Sequence, residues 1–104
     1  MEYKIERWQE NYQPDAKKLR EVLKAEGYSV YRWQDAPNAF YPNHQHSNDQ
    51  THWIISGALE LTIEIIGIFT LKSGDRDFMP AKTVHSARVV SDEAVVYLIG
   101  EKIK

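Results

Sequence analysis

The chain of 104 residues contains no cysteine. A disulfide framework, a zinc site built from thiolates and a cysteine nucleophile are therefore excluded. The same absence agrees with a reducing compartment, and we expect a cytoplasmic protein. No apolar run approaches the length of a membrane span, and the polar start Met1-Glu2-Tyr3-Lys4 is unlike a signal peptide. We therefore expect no membrane partner.

An excess of one charge sign is also lacking. The chain has 13 Lys and Arg against 15 Asp and Glu, and the charges are interspersed. A basic block, which a nucleic-acid partner would need, is absent. A nucleophilic triad, a phosphate-binding glycine loop and a dinucleotide fingerprint are absent as well. Catalysis, if the protein has any, therefore has to come from another kind of site.

The residues that are present indicate one small globular domain, since 42% of them are hydrophobic. Residues 14–26 predict one helix, with Pro14 in the first turn, Asp15 at the positive end of the helix dipole and Gly27 as the stop. Residues 1–12 are either an edge strand or arm that lies on the barrel or a second subunit, or an ordinary packed terminus. We predict that residues 1–27 form an arm and helix packed on a barrel formed by residues 28–104.

Short apolar stretches between turn signals follow the helix. We predict strands at residues 28–33, 39–46, 50–56, 58–65, 68–72, 76–80, 84–90 and 94–100. Many short, evenly spaced strands are typical of an all-β sandwich or barrel.

Two histidines two residues apart are the strongest chemical signal. In an extended strand, His44 and His46 point to the same face. Neutral imidazole is a common ligand for transition metals, so the pair supplies half of a metal site. Taken alone, however, such a pair is more often two surface histidines.

The spacing around this pair adds to the signal. His46 is followed after three residues by Gln50 and after six more by Gly57, and a second motif runs from Gly74 over Pro80 to His85. Together the two motifs resemble those of the cupin family, over about residues 28–100. The resemblance implies a double-stranded β-helix barrel of two antiparallel sheets, preceded here by one α-helix.

The resemblance also implies a metal inside the barrel, held by His44, His46 and His85, with Gln50 at the position of the family's glutamate. The expected cofactor is a divalent transition metal: iron, manganese, nickel, zinc or copper. Because the amide of Gln50 is neutral, three imidazoles would leave the ion its full +2 charge and favour an anionic ligand. Lys82 stands where the family has a glycine, and we expect that turn to be built differently.

His52 has two interpretations. It is either an acid/base or hydrogen-bonding group in the pocket, or a wall residue tied to a backbone carbonyl. Aromatic residues on the strands (Trp33, Phe40, Trp53, Phe78 and Tyr97) are either a ligand cage or, more commonly, core and interface packing. Trp53 is expected to lie between the sheet and a partner. Arg76 and Asp77 read as solvated turn charges.

The predicted hairpin between residues 58 and 72 has an apolar tip, Ile65-Ile66-Gly67-Ile68-Phe69. Exposed apolar clusters mark interfaces. The tip either packs against a neighbouring subunit or folds over the barrel mouth. We favour the first alternative and expect a homodimer.

Three functions fit these residues. The first is a metal-dependent cupin enzyme, an oxygenase, isomerase or decarboxylase, that acts on a small carboxylate- or enol-bearing molecule. The second is a non-enzymatic cupin that binds or senses a small ligand. The third is a cupin without metal, whose histidines are polar core. The fold alone does not separate them.

Overall fold

The structure is a computed structural model and describes residues 2–102. Residue 1 and residues 103–104, at the outer ends of the two predicted units, lie outside the described residues. The elements in chain order are β1 Lys4–Glu6, α1 Ala16–Ala25, β2 Tyr28–Asp35, β3 Phe40–His44, β4 Gln50–Ser56, β5 Ala58–Ile63, β6 Gly67–Lys72, β7 Arg76–Met79, β8 His85–Val89 and β9 Val95–Lys102.

The strands form two antiparallel sheets. One has five strands in the order β1-β7-β4-β9-β2, and the other has four in the order β3-β8-β5-β6. The core between them draws side chains from both sheets, for example Ile54 and Tyr97 from the first and Leu61 and Val89 from the second. The predicted all-β double-stranded β-helix with one helix is confirmed.

Buried and more exposed residues alternate along β5, so one face of the strand lies on the core and the other faces solvent. Leu59, Leu61 and Ile63 are almost fully buried, whereas the residues between them are more exposed. A period of two places one set on the core face and the other on the outer face. The predicted strand 58–65 ends earlier, at Ile63, because the chain turns at Ile65 with a positive φ of 73°.

Helix α1 lies on the outer face of the five-stranded sheet. The Asp15 carboxylate caps its first turn by accepting hydrogen bonds from the backbone N–H groups of residues 17 and 18, so the helix begins after Pro14 rather than at it. Leu19 and Leu23 pack against Leu98 beneath the helix. Trp53 packs into the same cluster. This cluster within the chain covers part of the Trp53 side chain, and the expected contact of its remaining surface with a partner stays a prediction.

The prediction that Arg76 and Asp77 are solvated is wrong. Both are buried in β7, which is paired on either side by β1 and β4. Arg76 donates to Thr51 Oγ1 at 2.9 Å and forms an ion pair with Glu26 at 2.5 Å. Each charge is tolerated in the interior because it has polar partners there. These partners are distant in sequence, so the local pattern did not indicate them.

The turn before β8 was predicted to differ from that of the family, and that prediction is wrong. Lys82 has a φ of 66°, the left-handed conformation that glycine adopts most easily. Its backbone N–H donates to the carbonyl of His46 at 2.8 Å. The turn therefore keeps its left-handed form and contacts the chain beside the histidine pair.

The apolar tip of the β5–β6 hairpin is solvent-exposed. Ile65 is 98% exposed, Ile66 55% and Ile68 66%. Phe69 instead turns inward and packs against Tyr3 with ring centroids 5.6 Å apart. The tip therefore does not fold over the barrel. In the described part of the chain, no helix has both the length and the apolar character that a membrane crossing requires.

Candidate metal centre

Three histidines meet where strands β3 and β8 pair. His44 ends β3, His85 begins β8, and the two are direct partners in the ladder. His46 lies two residues beyond the end of β3, so the pair predicted on one strand spans a strand end and the following loop. The Lys82 N–H bond to the carbonyl of His46 fixes that loop beside β8.

The three imidazole rings converge. Their centroids are 4.2 Å apart for His44 and His85, 5.0 Å for His44 and His46, and 5.2 Å for His46 and His85. One ring nitrogen from each lies within 4.8 Å of the others. Nitrogens about 2.0–2.1 Å from a shared ion would be at most about 4 Å apart. The three rings thus fit a transition metal after a small adjustment.

Backbone carbonyls fix the orientation of two of these rings. His44 Nδ1 lies 2.7 Å from the carbonyl of Pro42, and His85 Nδ1 lies 2.9 Å from that of Thr83. A carbonyl only accepts, so each Nδ1 carries the proton and each Nε2 keeps its lone pair. Metal-binding histidines are commonly oriented in this way.

The environment also favours the neutral rings that bind metals. Burial lowers the pKa of His85 to about 4, although the Thr83 carbonyl acts in the opposite direction. Burial and the neighbouring His44 lower the pKa of His46. Because protonated imidazole has no lone pair to give, these two lowered pKa values keep His46 and His85 in the neutral form that binds an ion.

Gln50, predicted at the carboxylate position, begins β4 and lines the same cavity. It is 7% exposed, and its Nε2 lies 3.5 Å from a carboxylate oxygen of Glu101. Since the amide nitrogen is directed to Glu101, the amide oxygen is the atom available to a metal.

His52 is buried in the cavity wall, and its partner is a carboxylate rather than the backbone carbonyl of the second interpretation. Its backbone N–H and its Nδ1 each lie 2.9 Å from one carboxylate oxygen of Asp77. The other oxygen of Asp77 accepts from the Tyr3 hydroxyl at 3.0 Å. Burial lowers the pKa of His52, but the adjacent carboxylate raises it by more, so the net shift is upward. A histidine beside a buried carboxylate can hold and release a proton.

The cavity has a volume of about 250 Å³ and two kinds of wall. Its polar part consists of the three histidines, Gln50 and His52. Its apolar part is lined by the aliphatic residues Leu59, Leu61, Ala87 and Ile99 and by the aromatic residues Trp33, Tyr41 and Tyr97.

The sequence analysis did not single out Asp35, a buried carboxylate beside the cavity. Asp35 ends β2 at 8% exposure and accepts hydrogen bonds from Tyr41, Tyr97 and Trp33. Because Trp33 and Asp35 are two residues apart on a strand, they share one face of β2. This spacing is the feature of the sequence that could have pointed to Asp35. Trp33 and Tyr97, read mainly as packing residues, line the cavity. Arg88 does not line the cavity; it is exposed and pairs with Glu60.

The model of the protein family described as "Cupin domain" matches residues 31–100 of this chain. No curated protein sequence matches the chain at a significant level.

Solved structures share the fold. The DMSP lyase DddQ from Ruegeria pomeroyi DSS-3 is 24% identical with a TM-score of 0.67, and the match covers 75% of this chain but only 39% of that chain. KdgF from Halomonas sp. is 25% identical with a TM-score of 0.60, over 74% of this chain and 72% of that one. A conserved protein with a double-stranded beta-helix domain from Klebsiella pneumoniae is 25% identical with a TM-score of 0.63, over 73% and 67%. The likeness to the lyase therefore concerns the fold.

Proposed function

The chain belongs to the cupin family, and from that premise we propose that it binds a divalent transition metal through His44, His46 and His85, with the amide oxygen of Gln50 as a further ligand. The observation that carries this proposal is the convergence of three ring nitrogens within 4.8 Å of one another. The two Nδ1–carbonyl hydrogen bonds support it, because they leave Nε2 free on the rings concerned.

We propose further that the metal-loaded protein acts on a small carboxylate- or enol-bearing molecule. A bound divalent metal supplies Lewis acidity or oxygen activation. Three neutral imidazoles do not reduce its charge, so an anionic group is the favoured ligand. His52, held by Asp77, is the candidate acid/base that would exchange a proton with the substrate. An oxygenase, an isomerase and a decarboxylase that act on such an anion all fit this arrangement.

Elemental analysis of purified variants tests the metal site. His46→Ala and His85→Ala should each lose at least 90% of the bound metal, whereas His52→Ala should retain it. Gln50→Glu should hold the metal more tightly and bind anions more weakly, because a carboxylate lowers the net charge of the centre. Wild-type protein without metal, or equal metal content in His46→Ala and wild type, would contradict the proposal.

Oxygen uptake by the iron-loaded protein with a panel of small acids and diketones separates an oxygenase from a binding module. Uptake that follows iron content supports the oxygenase. Tight ligand binding without product formation supports the non-enzymatic alternative.

We also propose a homodimer formed through the exposed hairpin tip. What supports it is the exposure of three isoleucines next to one another at residues 65–68. The cytoplasmic location stays a prediction from the sequence.

A further inference from the structure

The apolar wall of the cavity limits what the metal centre can receive. Among the described residues that line the cavity there is no lysine or arginine. Apart from the metal centre, the cavity offers a second carboxylate or a phosphate only the ring of His52, and Asp77 already pairs with that ring. Burying an unpaired charge is costly, so ligands with more than one negative charge are disfavoured.

The aliphatic part of the wall adds a second restriction. Leu59, Leu61, Ala87 and Ile99 offer no hydrogen-bonding side chain. A polyhydroxylated ligand would leave its hydroxyl groups without partners there. An apolar ligand body would instead replace water on these surfaces.

The aromatic residues present rings because their polar tips are already engaged. The Tyr41 hydroxyl donates to Asp35 Oδ1 at 2.5 Å, and Trp33 Nε1 donates to the same oxygen at 3.2 Å. The Tyr97 hydroxyl donates to Asp35 Oδ2 at 3.0 Å. With these donors turned to one buried carboxylate, the ligand meets aromatic carbon.

Asp35 also joins two elements that share no backbone ladder. It ends β2, an edge strand of the five-stranded sheet, whereas Tyr41 belongs to β3, an edge strand of the other sheet. Trp33 lines the cavity and is still 47% exposed, which places it at the rim. Asp35 thus holds the aromatic residues of the wall across the gap between the sheets.

We propose that the site selects small ligands with a single negative charge and an apolar body, and that Asp35 is the positioning residue for this selectivity. The inference rests on the proposed metal function. A cavity of about 250 Å³ lies below the usual range of about 300–1,000 Å³ for pockets that hold drug-sized ligands. A molecule of the size of benzoate is therefore a suitable probe.

Isothermal titration calorimetry of zinc-loaded protein with four carboxylates tests the ligand class. Benzoate should bind roughly ten- to a hundredfold more tightly than acetate, because its ring is buried against the wall. 4-Nitrobenzoate should bind at least tenfold more tightly than terephthalate, which has nearly the same size and shape but a second charge. Equal affinities within either pair, or the reverse order, would overturn the inference.

Variants test the role of Asp35. Trp33→Ala and Asp35→Asn should each reduce the ratio of benzoate to acetate affinity at least fivefold, with acetate affinity and zinc content unchanged. Phe40→Ala, an exposed neighbour that does not line the cavity, is the matched control and should keep the ratio. If Asp35→Asn does not fold, Tyr41→Phe removes one hydrogen bond to Asp35 but keeps the ring, and it should lower the ratio.

Two results distinguish a failure of the proposed metal function from a failure of the proposed ligand selectivity. Protein that takes up no zinc overturns the proposed function. Zinc-loaded protein whose ratio is unchanged in Trp33→Ala, and in whichever of Asp35→Asn or Tyr41→Phe folds, overturns the present inference alone.

Discussion

At the scale of single residues, the interior contains charges that are paired across strands. Asp77 is fully buried, and His52 is its direct ladder partner on the neighbouring strand. The carboxylate accepts from the ring and the backbone of His52 and from Tyr3. Leaving one member of such a pair alone in the interior costs more than the pair itself gains. The pair should therefore affect stability as well as any proton transfer.

We predict that His52 makes stability depend on pH. Its folded pKa is raised above the unfolded value of about 6.5. A raised pKa means that protonation favours the folded state. The contribution is therefore complete below about pH 6.5 and is lost as pH rises through the folded pKa. Urea unfolding of metal-free wild type and His52→Gln between pH 6 and 9 should give a difference in unfolding free energy that shrinks with rising pH.

The comparison with His52→Gln cancels the contributions of His46 and His85 to the pH dependence, apart from the part that comes from the charge of His52 acting on these two rings. In the Asp77→Asn background only burial acts on His52 and lowers its pKa, so the difference should instead grow with rising pH. A difference that is constant or grows with pH in the wild-type background would show that Asp77 does not raise the pKa of His52.

Whether a part of the site could be predicted depends on how far apart in the sequence its interacting residues lie. The spacing of His44, His46 and His85 is a sequence property, and these rings do converge in the fold. The partners Asp35 and Asp77 act through contacts with residues up to 74 positions away. The local sequence does not show that these carboxylates are buried among polar partners. Asp77 was therefore predicted to be a solvated turn charge, and Asp35 was not predicted as part of the site.

At the scale of elements, too, the parts of the fold that depend on local sequence could be predicted, whereas those that depend on pairing with a distant strand could not. Strand 50–56 is found as predicted, and the helix ends near Gly27, since alternation and helix stops are local. Strand β1 was one of two alternatives for the N-terminal arm, because an edge strand exists only through its partner β7. The division of the chain at residue 27 stays a prediction, although this pairing ties the arm to the sheet.

The turn between β7 and β8 gives a prediction at this scale. Lys82 holds a left-handed backbone, which costs a residue with a Cβ about 1–2 kcal/mol. Lys82→Gly should therefore raise the free energy of unfolding by about 1 kcal/mol, after allowance for the greater freedom of glycine in the unfolded chain. Metal content should not change, because the hydrogen bond to His46 uses the backbone N–H.

Urea unfolding midpoints measure this effect. Lys72→Gly, at an exposed strand end without a positive φ, is the matched control and should lose about 0.5–1 kcal/mol. A lower midpoint for Lys82→Gly than for wild type would mean that the lysine side chain stabilises the turn.

At the scale of the whole molecule, the two ends of the four-stranded sheet differ in character. Its β3 edge lies beside the cavity and the histidines, whereas its β6 edge carries the hairpin tip. Ile65 in this tip combines nearly complete exposure with a positive φ, which is unfavourable for a β-branched residue. Neither feature stabilises a single copy of the chain. Backbone strain of this kind is a reason to look for a function at the position, and here we infer contact with a second copy.

We therefore predict that Ile66→Asp dissociates a homodimer. The three exposed isoleucines would form the apolar centre of the interface, and a buried, unpaired aspartate there would cost several kcal/mol, equivalent to more than a hundredfold in the dissociation constant. Sedimentation velocity at micromolar concentration should give a dimer for wild type and a monomer for Ile66→Asp. Asn11→Asp adds the same charge at an exposed position in the N-terminal arm and should remain dimeric. Identical sedimentation coefficients for wild type and Ile66→Asp would exclude the tip as the dimer contact.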